Sequence, residues 1–360
     1  MTASPSSVRR VVADAAMMDV PDGLQARATR PGDVGAVTAL LRAVDIAGCG
    51  HTSSNLEETE AFLARPSTDW QYGSVTLWQG DEAVGALIIE DGLASGRGWT
   101  VDVFSRPGDP RVHLINGALL DAGLREGRYR WDALYMDPDA PLPLARAGCY
   151  ANDGALRADL EQRGFAEVRR YWRMKLDHWS VSGLTTDVDA PGGTGSGSAS
   201  AGGQPGTLPE GYRLRSFRDT EPEWRATHTV SSTAFLDHFD FNPLGFEQWR
   251  EHLTGGTEDV SQWVVVEHAG EIVGYAMGSN RYASEDYGYV ASIAVLSEHR
   301  GRGLARALLR ARIADDVERG FLATILHVDA TNPTGATRLY ESVGMVTDSE
   351  FVGFHRPLFR

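Results

Sequence analysis

A stretch near the middle of the chain divides the sequence into two halves. Residues 181–209, VSGLTTDVDAPGGTGSGSASAGGQPGTLP, are rich in Gly, Ser, Thr and Pro and contain almost nothing that a core could bury. Such a segment cannot offset the entropy that it would lose on ordering, so we expect a flexible linker. We place the linker at 181–207, between domains at 22–180 and 208–360, sizes that suit a chain of 360 residues.

The two halves repeat one another. GDEAVGALI in the first half matches AGEIVGYAM in the second, and each follows a strand-like run, which predicts a β-hairpin in both. Asn152 precedes Gly164 by twelve residues, and Asn332 precedes Gly344 by the same number. Both intervals are typical of a helix that ends at a Gly C-cap. Two matched segments in matched order indicate a duplicated α+β unit.

The pattern of the second half predicts the element order β-α-α-β-β-β-α-β-α-β. Its longest helix is predicted in GLARALLRARIADDVERG, which Gly320 closes. The apolar residues that share one face of this helix are Leu304, Leu308, Leu309 and Ile313. The run ATILHVD is typical of a buried strand, and PTGATRLYESVG of a short helix.

Composition and charge exclude several classes of function. A net charge of −15 argues against binding to nucleic acid or to an anionic membrane. The two cysteines, Cys49 and Cys149, have the spacing of neither a disulfide framework nor a zinc site. Asp14 and Asp19 interrupt the apolar run after Arg9-Arg10, so residues 1–21 are predicted to be a flexible tail rather than an export signal. We therefore expect a cytoplasmic protein, monomeric or homodimeric, that binds no metal.

The segment EHRGRGLARALLRA predicts a binding site for an anion. A strand-like run leads into a turn with Gly301 and Gly303, and a helical pattern follows. Glycines let the backbone approach a ligand, and the unpaired N–H groups of a helix N-terminus attract phosphate. Arg300 and Arg302 add positive charge in an acidic chain. The P-loop motif is absent, and Arg306 stands where a dinucleotide motif needs its third Gly.

Two motifs of the second half resemble those of a known superfamily. RGRGLA fits the pattern [Q/R]-x-x-G-x-[G/A], with Arg300, Gly303 and Ala305 at its fixed positions, and DATNPTGATRLYESVGM places a Leu-Tyr pair on a helix before Gly. On these motifs the chain resembles the GNAT (GCN5-related N-acetyltransferase) superfamily, of the tandem type seen in mycothiol synthase and antibiotic-type acetyltransferases. The resemblance implies an α+β fold of two tandem GNAT-like domains, each a mixed, mostly antiparallel sheet flanked by helices.

The resemblance also implies acetyl-CoA as the cosubstrate of a catalytic second domain. The residues that it assigns to acetyl-CoA are Ile293, Ala294, Val295, Arg300, Gly301, Arg302, Gly303, Leu304, Ala305, Asn332, Ala336 and Tyr340. Backbone N–H groups of residues 293–295 would stabilise charge on the acyl oxygen, and Tyr340 would protonate the leaving thiolate. Asn332 would contact the pantetheine arm and cap the following helix.

The general base and the acceptor are less well specified. YGYVASIAV contains no carboxylate, unlike the equivalent strand of mycothiol synthase. The candidates near the site are Glu285 and Asp286, just before this strand, and Glu267, on the preceding hairpin. Further candidates lie on the segment that walls the acceptor pocket in the superfamily: Asp237, His238 and Asp240. We expect N-acetylation of a small-molecule primary amine. The alternatives are a mycothiol-synthase-like reaction on a cysteinyl sugar conjugate, or a pseudoenzyme that only binds coenzyme A.

The first half resembles the same fold but lacks both motifs. Nothing in SRPGDPRVHLINGALL fits R-x-x-G-x-[G/A], and Pro107 and Pro110 remove backbone donors that a phosphate would need. Leu160 stands eight residues after Asn152, where the second half has Tyr340. We therefore expect a degenerate domain at residues 22–180 that has a structural or substrate-shaping role.

Overall fold

The chain forms two compact units, which we describe from a computed structural model. The residues that the structure describes are 18–52, 54–64, 74–93, 98–134, 143–180, 208–236, 243–254, 257–331 and 335–359. The first unit comprises Met1–Trp172 and Ser349–Arg360, and the second comprises Arg173–Asp348. Residues 173–180 therefore belong with the second unit, and most of the last strand of the chain belongs with the first. The predicted linker at 181–207 lies outside the described residues.

The first unit contains a sheet of mostly antiparallel strands. Its elements are β1 (Gln25–Ala28), α1 (Val34–Cys49), α2 (Leu56–Leu63), β2 (Ser74–Gln79), β3 (Glu82–Gly92), β4 (Gly98–Ser105), α3 (Val112–Leu134), β5 (Leu144–Tyr150), α4 (Gly154–Gln162) and the start of β6 (Ala166–Asp177). Strands β1 to β4 pair antiparallel in sequence order, and β4 pairs with β5 in parallel. The end of strand β12 (Val346–Pro357) pairs antiparallel with β5.

The second unit repeats this arrangement. Its elements are the end of β6, β7 (Tyr212–Ser216), α5 (Glu221–Ala234), α6 (Phe246–Thr254), β8 (Val264–His268), β9 (Glu271–Ser279), β10 (Tyr287–Val295), α7 (Leu304–Glu318), β11 (Ala323–Asp329), α8 (Ala336–Glu341) and the start of β12. Strands β7 to β10 are antiparallel, and β10 pairs with β11 in parallel. The predicted α+β class and the predicted element order are confirmed.

The repeated sequences form repeated structures. Both matched segments form hairpins, β2–β3 and β8–β9, and each hairpin has a register shift close to its turn. Gly164 and Gly344 follow α4 and α8 with φ values of 78° and 95°, which only Gly adopts readily. The duplication predicted from the sequence is therefore present in the backbone.

Helices cover both faces of the second sheet. On one face α5 brings Trp224 against Trp263 and Tyr275, and Ala294 packs with this group. On the other face α7 brings Leu304 and Leu308 against the sheet. All four predicted face residues of α7 are buried. Among the described residues, no helix is long and apolar enough to cross a membrane.

Candidate active site

Strand β10 separates from its parallel neighbour halfway along its length. Strands β10 and β11 pair as far as Tyr289 and Ile325, and no further pair is recorded among the described residues. On its other edge β10 stays paired with β9 up to Val295, with a register shift between Val290 and Ser292. A bulge of this kind bends the strand that carries it. The second half of β10 therefore borders a gap in the sheet.

Backbone donors of β10 point into this gap. The amide of Leu296 donates to the backbone of β9 at 3.0 Å. Because N–H directions alternate along a strand, the amide of Ala294 also faces β9, whereas those of Ile293 and Val295 face the gap. The carbonyl of Val295 lies on this side too, since it accepts from Nε of Arg300 at 3.0 Å. Two preorganised donors are thus available where the strands separate.

The turn after β10 exposes a further set of backbone amides. Gly301 and Gly303 have φ values of 74° and 78°, and α7 begins at Leu304 with Gly303 as its N-cap. The first helical bond runs from the amide of Ala307 to the Gly303 carbonyl. Among the described residues, no protein group accepts from the amides of residues 301–306. Such a group of amides at a helix N-terminus binds anions.

The arginines of the turn mainly hold its shape. Arg300 donates to the carbonyls of Val295 and Ala234 at 3.0 and 3.2 Å, and Arg302 donates to the turn backbone at 2.6 Å. Neutral carbonyls leave the positive charge in place, so the turn remains attractive to an anion. Arg306, in the first turn of α7, borders the adjoining cavity. Sequence reasoning had used Arg306 only to exclude a dinucleotide motif.

The turn, the gap and α8 enclose one cavity of about 430 Å³. Its lining residues are Ala234, Phe235, Ile293, Ala294, Val295, His299, Arg300, Gly301, Gly303, Leu304, Ala305, Arg306, Gly335, Ala336, Leu339 and Tyr340. This volume lies in the range of small-molecule sites. A donor-rich, positively charged end and an apolar wall suit a ligand with an anionic group on a longer arm.

Tyr340 provides the only phenol in the cavity lining. Its side chain is 6% exposed, and no hydrogen bond to its hydroxyl is recorded among the described residues. Burial raises the pKa of Tyr340 to about 12, so the hydroxyl is protonated near neutral pH. Tyr340 can therefore donate a proton to an anionic group formed in the cavity.

Comparisons with known proteins agree with this geometry. Residues 221–345 match the acetyltransferase (GNAT) family. A mycothiol acetyltransferase of Thermobispora bispora is 32% identical over 319 residues, which cover 87% of this chain and 92% of that protein. The chain belongs to the GNAT acetyltransferase family. It is accordingly an N-acetyltransferase.

Solved GNAT structures share the fold over nearly the whole chain. A GCN5-related N-acetyltransferase from Sphaerobacter thermophilus superposes with a TM-score of 0.75 at 23% identity, covering 94% of this chain and 97% of that one. A tandem GNAT protein from the clavulanic acid biosynthesis pathway gives a TM-score of 0.65 at 15% identity, covering 94% and 99%. The tandem architecture inferred from the repeat therefore has solved counterparts.

The structure gathers most of the residues predicted to bind coenzyme around this one cavity. Of those that the structure describes, all border it except Arg302, whose side chain lies on the turn. Asn332 lies outside the described residues, and so do Asp237, His238 and Asp240. The N-cap of α8 is Gly335, with a φ of 75°, so the prediction that Asn332 caps this helix is wrong. The helix begins three residues later than the sequence pattern indicated.

The structure does not bring Glu285 and Asp286 to the cavity. Glu285 ends a short 3-10 helix, Ala283–Glu285, and Asp286 follows it immediately before β10. The cavity lies at the other end of this strand, around Ile293 and Val295. Six residues of strand separate Tyr287, the first residue of β10, from Ile293, which corresponds to roughly 20 Å. Proximity in sequence placed both carboxylates beside the strand but at its far end.

Two residues that the sequence did not single out meet beside the gap. The hydroxyl of Tyr289, on β10, lies 3.3 Å from Nδ1 of His327, on β11. Their rings pack edge to face with centroids 5.6 Å apart. The signal in the sequence was a single imidazole in the otherwise buried run ATILHVD. Its partner, 38 positions earlier, could be recognised only from the pairing of the two strands.

Proposed function

We propose that the second unit transfers an acetyl group from acetyl-CoA to the primary amine of a small molecule by direct attack. One observation carries the proposal: unbonded backbone amides and a protonated phenol face the same cavity. The amides suit a diphosphate, and the phenol suits a leaving thiolate. Coenzyme A thioesters carry both groups at opposite ends of one arm.

The residues present fit such a ligand. The amides of residues 301–306 would hold the diphosphate, with charge from Arg306. The amides of Ile293 and Val295 would donate to the acyl oxygen, where negative charge grows as the amine attacks. Donors fixed in advance stabilise that charge without reorganisation, and loss of one such donor typically costs about 10²–10³-fold in rate.

Tyr340 completes the proton balance at the sulfur. The amine nitrogen bonds to the acyl carbon and gives up one proton to a base, the carbon–sulfur bond breaks, and the Tyr340 hydroxyl gives its proton to the sulfur. The products are an acetamide and a free thiol. Because its pKa is about 12, Tyr340 holds this proton throughout the neutral range. Exchange with solvent then restores the phenol.

A second candidate acceptor is the amine of a cysteinyl sugar conjugate. It is favoured by the relative named mycothiol acetyltransferase, which matches this chain along 92% of its own length. One feature separates this chain from mycothiol synthase: strand β10, YGYVASIAV, has no carboxylate. The acceptor side of the site therefore differs from that enzyme in at least its proton-accepting group.

A thiol-release assay tests the proposal. The purified chain is incubated with acetyl-CoA and a panel of amines, including an amino sugar and a cysteinyl sugar conjugate. The released thiol is quantified, and the acetylated products are identified by mass spectrometry. We expect one free thiol for each acetamide formed. Turnover confined to the cysteinyl conjugate selects the second acceptor. Tight acetyl-CoA binding with no turnover on any amine contradicts the proposal and indicates a protein that only binds the coenzyme.

A further inference from the structure

We propose that His327 accepts the proton of the attacking amine, with Tyr289 orienting its imidazole. This inference rests on the proposed function and supplies the base that Glu285 and Asp286, at the far end of β10, do not provide. The observation behind it is the contact of 3.3 Å between the Tyr289 hydroxyl and Nδ1 of His327. The contact lies where β10 and β11 separate.

The two side chains lie on the face of the sheet opposite to α7. Thr324 faces α7, because its hydroxyl donates to Asp316 of that helix at 2.6 Å. Side chains alternate between faces along a strand, so His327, three residues later, points to the other face. Tyr289 contacts His327 and shares that face. An amine could thus reach the gap from the side opposite to the helix that receives the diphosphate.

The strand positions put His327 near the level needed for proton transfer. The last recorded pair is Tyr289 with Ile325, so His327 lies two residues past the point where the strands separate, and Ile293 lies four residues past it on the bulged β10. Two residues of strand span roughly 7 Å. If the amide of Ile293 holds the acyl group, two distances must fit between the acyl carbon and the imidazole. One is the approach of the amine nitrogen to the acyl carbon, about 3–3.5 Å, and the other is the hydrogen bond from that nitrogen to the imidazole, about 3 Å. A nitrogen between the acyl carbon and the imidazole fits this interval.

The surroundings of His327 keep it neutral. Solvent reaches the ring, yet the crowding of nearby protein atoms, and then the charges of Arg281 and Arg173, lower the pKa of His327 to about 4, against an opposing effect of Asp348. Tyr282 and Tyr289 pack their rings against the imidazole. A neutral imidazole at pH 7 has a lone pair for the proton. The amine nitrogen becomes strongly acidic as it bonds to the acyl carbon, and the imidazole then takes its proton.

Two substitutions separate a base from a structural residue. His327→Gln keeps a hydrogen-bonding partner for Tyr289 but cannot accept a proton at pH 7, and His327→Ala removes the ring. We expect both variants to lose about 10²-fold in kcat while the Kd for acetyl-CoA stays unchanged. A structural role would instead spare the Gln variant. His252→Ala, at an exposed histidine of α6, is the matched control and should keep full activity.

Added imidazoles provide the deciding measurement. We expect imidazole and its methylated derivatives to restore activity to His327→Ala, at rates that rise with the concentration of free base and with its pKa, and to leave the His252→Ala control unchanged. Activity of His327→Gln within twofold of the wild type overturns the inference, and so does a loss that no imidazole restores. Inactivity of the wild-type chain towards every amine would contradict the proposed function instead, so the two failures are distinguishable.

Discussion

The turn before the long helix occupies the same position in both units, but its backbone amides have different partners. In the first unit, between β4 and α3, the carboxylate of Asp109 accepts from the amide of Arg111 at 2.8 Å and from its Nε at 3.0 Å. In the second unit, amides 301–306 have no recorded acceptor among the described residues. The first unit supplies its own anion where the second leaves room for one from outside. The same fold can therefore bind an anion or exclude it through one side chain.

The space behind the turn differs in the same way. In the first unit Asn116 of α3 bonds to Ser105 at the end of β4, and donates to Asp159 of α4 at 2.8 Å. His113 contacts the same carboxylate at 3.0 Å. The corresponding elements of the second unit, β10, α7 and α8, line the cavity. A polar network thus ties together, in the first unit, the elements that surround a binding site in the second.

The strands differ as well. The pairing of β3 with β4 runs from Gly85 and Ser105 to Gly92 and Gly98 without a register shift, whereas β9 and β10 are offset by the bulge near Ala291. A bulge bends the strand that carries it, so β10 has a local bend that β4 lacks. The parallel neighbours part in both units, because among the described residues β4 and β5 pair only at Trp99 with Ala145 and Thr100 with Arg146. From the missing motif and the filled turn we propose that the first unit does not bind the coenzyme.

Gly303→Asp should produce the largest effect on coenzyme binding, because it changes the turn of the second unit directly. A carboxylate at the helix N-terminus places negative charge where the diphosphate would lie, so we expect the affinity for acetyl-CoA to fall by more than about 10²-fold. Gly108→Asp is the matched control, because Gly108 also has a positive φ, 80°, and open space around it. Calorimetric titration of both variants checks this. Equal losses would mean that backbone strain, not the site, controls binding.

Tyr340→Phe tests the phenol on its own. We expect kcat to fall about 10²-fold with little change in the Kd for acetyl-CoA, because the ring still fills the wall while the proton donor is lost. Since the pKa of Tyr340 is about 12, no loss of wild-type activity between pH 6 and 10 should be attributable to this group. Steady-state kinetics across this range measures both. A Phe variant with normal kcat would remove Tyr340 from the mechanism.

Local patterns predicted the fold and the turn well. The repeated hairpins, the Gly-closed helices and the strand–turn–helix around Gly303 all depend on residues close together in the chain, where spacing determines geometry. The side-chain bonds of Arg300 and Arg302 could not be read in this way. Their carbonyl partners are specified by how the turn folds back on Val295 and Ala234.

The sequence did not predict contacts between distant segments, because these contacts depend on how the whole unit folds. The approach of Tyr289 and His327 requires the register of β10 on β11. The fully buried ion pair of Arg312 and Asp316 requires Thr324 to approach α7 from β11. A charged pair four residues apart on a helix is usually at the surface, and only the completed sheet buries it here.

Asp109→Asn removes the negative charge that the first unit places in its turn. Hydrogen bonding by Arg111 lowers the pKa of Asp109, so the folded state favours the ionised carboxylate. Its contribution to stability is full above the ordinary pKa near 3.8 and is lost as pH falls through the lower folded value. We expect the variant to lose about 1–2 kcal/mol of unfolding free energy at pH 7 and to converge on the wild type as the pH falls below the lowered pKa of folded Asp109. Urea unfolding at several pH values measures this, and acetyl-CoA affinity should not change.

Glu285→Gln should have the smallest effect and sharpens the boundary of the second site. Removing its charge at the far end of β10 acts across roughly 20 Å, more than twice the screening length of about 8 Å at physiological ionic strength. We therefore expect kcat and the KM for the amine to stay within about twofold of the wild type. The same assay on His327→Gln supplies the contrast. If kcat of Glu285→Gln fell as far as kcat of His327→Gln, proton transfer would take place at the start of β10. The acceptor would then bind at that end of the strand.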